Sequence, residues 1–117
     1  MGLVVGDLSA HFSRWEFDSH DGVQAHPDVR LVDALERLRS ICGGRPLKIV
    51  SGYRSPAQNK AVGGAPRSQH LYNRAVDIPE GYATIAQAEQ AGFRGIGSKG
   101  IWAVHVDVRS QRARWTY

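Results

Sequence analysis

Four residues of this 117-residue chain combine metal-binding chemistry with strand-like surroundings: His70, Asp77, His105 and Asp107. Imidazole nitrogen and carboxylate oxygen are donors to divalent transition metals, and a catalytic zinc commonly takes three protein ligands plus water. Two imidazoles and a carboxylate are therefore a candidate set for a metal that activates water. The competing reading is structural: a buried histidine beside a strand has hydrogen bonds to satisfy whether or not a metal is near.

The elements that must position these groups can be read from spacing. Residues 102–108, Trp-Ala-Val-His-Val-Asp-Val, are β-branched and aromatic, which predicts a strand. Alternation puts Ala103, His105 and Asp107 on one face and Trp102, Val104, Val106 and Val108 on the other. The second face belongs in a core; the first carries polar groups that need partners. Arg74 to Ile78 also alternates, with Ala75 and Asp77 opposite Val76. His70 lies seven residues before Asp77 across the turn-prone Tyr72-Asn73, so a loop entering a strand can bring both side chains to one point.

Several separated motifs occur in order: Ser51-Gly52-Tyr53-Arg54-Ser55-Pro56, Ser68-x-His70, Ala75-x-Asp77 and Val104-His105-Val106-Asp107. Together they resemble the zinc D-alanyl-D-alanine peptidases, which share a fold with the hedgehog signalling domain, and above all the small cell-wall and phage-lysin branch. The resemblance covers roughly residues 8–115. It implies a single small α+β domain over residues 1–117, with a central, mostly antiparallel sheet and flanking helices. It implies that His70, Asp77 and His105 bind Zn2+. Arg54 is then the residue that contacts substrate or polarises its carbonyl, with Tyr53 and Ser68 beside it in substrate binding. The implied substrate is a peptidoglycan stem or cross-bridge peptide, cut by metal-activated water; D,D and L,D bonds, and endo- and carboxypeptidase action, all fit these residues.

The sequence departs from the family pattern twice. Asn73 stands where relatives have Gly, and Asn tolerates left-handed backbone. Trp102 stands where many relatives carry an acidic general base, and alternation turns it away from His105. Asp107, on the His105 face, becomes the candidate catalytic base, or else a partner orienting a ligand. A zinc-binding, non-catalytic cell-wall or phage structural module is the alternative that this departure motivates. Arg54 likewise reads as a carboxylate fork or as one arm of a structural ion pair.

Composition is that of a soluble globular domain, 42% hydrophobic and 22% charged. No apolar run approaches the ~20 residues that span a bilayer, so no membrane insertion is expected. The start, Met1 to Asp7, lacks the basic region and apolar length of a signal peptide, so action on a cell wall would need another export route or release at phage lysis. The single Cys42 cannot form an internal disulfide and reads as a buried thiol at a helix end. A net charge of +4 and the arginines 109, 112 and 114 favour anionic partners. Nucleic acid is not the partner expected, because no motif of the common binding modules accompanies that charge. A monomer is expected.

Scaffold elements follow from caps and periodicity. Ser13 to Glu16 forms a capping box, with Phe12 and Phe17 placed as a hydrophobic staple. Residues 18–28 read as a polar loop in which His20 and His26 lie at the surface. The pattern Leu31, Val32, Leu35, Leu38, Ile41 predicts the longest helix over 27–42, stopped by Gly43-Gly44. A strand is expected over 47–51, short helices over 56–62 and 84–91, and a hairpin of 93–97 with 101–108. Trp115 and Tyr117 are expected to pin the tail to the body.

Overall fold

The computed structural model describes residues 7–117; the expectation about the first six residues lies outside it. Three α-helices surround a four-stranded sheet. Helix α1 is Val29–Ile41, α2 is Pro56–Ala61 and α3 is Ile85–Gln90. Strand β1 is Ala75–Asp77, β2 is Gly95–Lys99, β3 is Trp102–Asp107 and β4 is Ala113–Thr116. The spatial order is β1-β3-β2-β4. Both neighbours of β3 are antiparallel to it, and β4 joins the far edge parallel to β2. The fold is thus the α+β arrangement expected, with a parallel edge strand that alternation did not reveal. No helix among the described residues is long and apolar enough to cross a membrane.

Local chemistry explains most boundaries. The Asp28 side chain accepts the Arg30 N–H at 2.8 Å and starts α1 two residues later than its proline suggested. Leu31, Val32, Ala34, Leu35 and Leu38 form the buried stripe of that helix. Gly43 and Gly44 stop it at φ +81° and +74°, a region that L side chains rarely enter. Ser55 caps α2, and Thr84 caps α3 in a reciprocal box with Gln87. The Phe12–Phe17 staple closes over a short 3-10 turn, Arg14–Phe17, with the rings edge to face at 6.1 Å.

The core lies between α1 and one face of the sheet. Val76, Ile96 and Val106, from three adjacent strands, pack there with Leu31, Leu35, Leu38, Phe12 and Phe17. Fully burying such side chains contributes about 1.5–3 kcal/mol each. Cys42 closes one end of this core as the buried thiol expected, and burial pushes its pKa up.

The expected strand over 47–51 does not form. Leu47 and Ile49 are buried and Lys48 and Val50 exposed, so the alternation is real. The partner, β1, is only three residues long and offers one bridge, Ser51 to Asp77. The chain then passes over the backbone of Phe17 at Gly52, where a Cβ would stand 2.8 Å from Phe17 Cα. Backbone cannot yield as a side-chain tip can. Gly52→Ala is expected to lower the unfolding free energy by ~1–3 kcal/mol. Urea denaturation measures it, and an unchanged midpoint would contradict this packing.

Candidate metal centre

The register of β1 on β3 sets Asp77 directly opposite His105. Opposed residues of an antiparallel pair share a face, so the carboxylate and the imidazole meet without any loop rearrangement. His70 arrives from the 3-10 turn Gln69–Tyr72, which Ser68 caps by accepting the His70 N–H at 3.2 Å. Asn73 ends that turn at φ +58°, ψ +31°, the left-handed conformation expected of it. Its side-chain oxygen also accepts the His26 N–H at 2.9 Å, a tie that glycine would lack.

The two imidazoles are held from behind. His70 Nδ1 lies 2.6 Å from the carbonyl oxygen of Gly52. A carbonyl only accepts, so Nδ1 carries the proton and Nε2 keeps its lone pair. His105 Nε2 donates to Asp107 Oδ2 at 2.8 Å, leaving the lone pair on Nδ1. Both free nitrogens then face the same atom, Asp77 Oδ1, each at 3.2 Å. Three electron-pair donors converge with no donor between them. That is the arrangement a cation takes up.

The donors are also of the right kind and spacing. Zn2+ bonds imidazole nitrogen and carboxylate oxygen at about 2.0–2.2 Å, and tetrahedral ligands at that radius lie about 3.3 Å apart. The three side chains can place one ligand atom each within 4.8 Å of one another, and among the described residues they form the group that could hold a metal ion. His20 and His26 stay exposed, as expected. Burial lowers the His105 pKa, but hydrogen bonds to Asp107 and Asp77 outweigh it and leave it raised. Burial would raise Asp77, yet both imidazoles hold it well below the usual carboxylate range.

Asp107 does not reach the cleft. It is fully buried, and its Oδ1 accepts the Arg109 main-chain N–H at 3.1 Å and Nε–H at 2.9 Å. Oδ2 accepts from Arg109 Nη2 at 2.7 Å as well as from His105. With both oxygens filled, the geometry fits the orienting role and not the general base. A Cβ at Gly95, opposite Asp107, would run into this carboxylate.

Arg54 makes the ion pair of the structural reading, Nη2 meeting Asp77 Oδ2 at 3.4 Å, and its side chain also lines the cleft. Ser68 lines it too. Tyr53 does not; it packs against the core and borders a separate depression with Pro56, Leu71 and Tyr72. The cleft, about 490 Å³, holds both imidazoles and is flanked by Arg67, Arg109, Trp115 and Tyr117. Arg54 and Tyr117 also border an adjoining groove that contains Asp77 and Glu80. Spacing placed Trp115 and Tyr117 as anchors only, because β4 pairs with a strand far from it in sequence.

The peptidase M15 family model matches residues 8–107. The chain belongs to that family, the one its motifs pointed to. A zinc D-Ala-D-Ala carboxypeptidase of Streptomyces albus G is 37% identical over 57 residues, covering 46% of this chain. The chain spans 22% of that relative's length.

His70→Ala and His105→Ala are each expected to lose stoichiometric zinc, read by elemental analysis of protein prepared without added metal. One full equivalent in either variant would remove that ligand from the set. Zinc must displace a proton from His105, whose pKa is raised above the ordinary ~6.5. Affinity is therefore expected to fall as pH drops through the His105 titration, measured by chelator competition between pH 6 and 9.

Proposed function

We propose that this chain is a zinc metallopeptidase domain that hydrolyses peptide bonds in peptidoglycan stem or cross-bridge peptides. The observation that carries this reading is the convergence of His70 Nε2, His105 Nδ1 and Asp77 Oδ1 at the cleft of a peptidase M15 chain. Zn2+ bound there supplies Lewis acidity, which polarises a carbonyl and lowers the pKa of water.

The chain's own residues supply the rest. Gly52 O and Asp107 fix the imidazole tautomers, so both ligands are ready without reorganisation. Arg54, only 19% exposed and anchored on Asp77, offers its remaining N–H groups to a substrate carbonyl or carboxylate. Arg67 adds positive charge along the same wall, which suits peptides bearing free carboxylates. The tail arginines are engaged within the protein: Arg109 binds Asp107 at 2.7 Å, and Arg112 and Arg114 bind Glu89 at 2.9 and 3.0 Å. That supports a wall peptide, rather than nucleic acid, as the partner of a monomer acting at the cell wall.

A second reading has one observation in its favour. Among the described residues, the wall that holds both imidazoles has no carboxylate apart from Asp77, which faces the imidazoles themselves, to take a proton. A zinc-binding module without turnover would look the same. Incubation with purified peptidoglycan separates the two. Chelator-sensitive release of soluble peptides is expected, and their masses name the bond. Zinc bound at one equivalent with no release from any wall type would favour the binding module. Asp107→Asn is expected to retain most turnover at saturating zinc, because its role is to hold His105; a loss of ~100-fold there would restore it as the base.

A further inference from the structure

The family match ends at Asp107, yet the chain goes on to build part of the metal site. Strand β4 pairs with β2 so that Trp115 lies opposite Gly97, and Gly97 lies opposite His105. All three positions share one face. The missing side chain at Gly97 lets the indole lie across the strand: a Cβ there would come within 2.5 Å of Trp115 Nε1. The ring reaches His105, with centroids 4.9 Å apart and planes at 54°.

Arg109 closes the circle. Its guanidinium donates to both oxygens of Asp107 and lies 5.1 Å from the Trp115 ring centroid. Asp107 in turn accepts from His105. The imidazole is therefore held at its edge by a hydrogen bond and abutted by an aromatic ring inclined to it, while one arginine braces both holders. Aromatic and cation–π contacts of this kind add to ordinary packing. β4 itself is fastened independently of the indole, by the ion pairs of Arg112 and Arg114 with Glu89 and by the Tyr117 N–H to Ser98 O bond at 2.9 Å.

We propose that Trp115 is a positioning residue for the ligand His105, and that segment 109–117 is a working part of the metal centre rather than a tail. Its ring limits rotation of the imidazole about χ2 and keeps water from the His105–Asp107 hydrogen bond. This rests on the zinc reading above, and the experiment separates the two.

The dissociation constant for zinc is measured by chelator competition for wild type, Trp115→Ala, Trp115→Phe and Gly97→Ala, with thermal unfolding of each metal-free protein alongside. Trp115→Ala is expected to weaken zinc ~10-fold or more, in the range seen when the partners of a ligand are removed. Trp115→Phe should recover most of that loss, because a ring again covers the imidazole. Gly97→Ala should reproduce the loss by pushing the indole aside. Cobalt-substituted Trp115→Ala should show an altered ligand-field spectrum. Equal zinc affinity in folded wild type and Trp115→Ala would overturn the proposal, as would failure of phenylalanine to restore affinity. If Trp115→Ala does not fold, Gly97→Ala and Trp115→Phe decide: wild-type affinity in Gly97→Ala overturns it. A wild type that binds no zinc would defeat the zinc reading itself.

Discussion

The site depends on the register between two short strands. Asp77 faces His105 because β1 and β3 pair with Val76 on Val106 and Ala75 on Asp107. A slip of β1 by one residue along β3 would turn Asp77 into the core and Val76 out to the cleft. The apolar face therefore enforces the polar one. Val76 and Val106 are both fully buried under α1, and exposing them would forfeit the burial that holds the sheet together. The hydrophobic core stabilises the fold and selects the pairing that brings Asp77 and His105 together.

Around that register, each imidazole has one nitrogen occupied and one left open. Placing two imidazoles and a carboxylate together below the surface is costly unless each polar atom has a partner. Gly52 O, Asp107 and Arg54 meet that need from the outside, so that the inward lone pairs have only a cation or protons to face. Asp107 shows the same logic one layer further out. A fully buried carboxylate is tolerated because four N–H groups surround it, and because the glycine opposite leaves it room. Preorganisation here means that the hydrogen bonds specify tautomer and ring orientation before any metal arrives.

The far side of the sheet contributes through absence. Gly95 and Gly97 weaken β2 as a strand, since glycine loses more conformational freedom than any other residue. In return they open two slots on the ligand face, one filled by the Asp107 carboxylate and the other by the Trp115 indole. Charge follows the same economy. Arginines that look in sequence like a basic tail are committed to Asp107 and Glu89, which fixes β4 where its aromatic rings border the cleft.

Much of this was legible in the chain itself. Alternation gave the faces of 75–77 and 105–107, but a register shift between Gly97 and Ser98 breaks it at Val104, so that Ala103 joins the core while Trp102 and Val104 stay half-buried. Caps and glycines gave all three helices within two residues, and the ordered motifs gave the family and the three side chains that converge. These are local signals: period, capping and spacing act over a few residues and survive in one dimension. Tertiary structure alone decided the others. It denied Leu47–Ser51 a long enough partner, turned Tyr53 away from the cleft, filled both oxygens of Asp107, and carried β4 across to lie parallel to β2. Each of those outcomes depends on a contact between segments far apart in sequence, where the presence, length and direction of the partner are set by packing rather than by the residue's own neighbours.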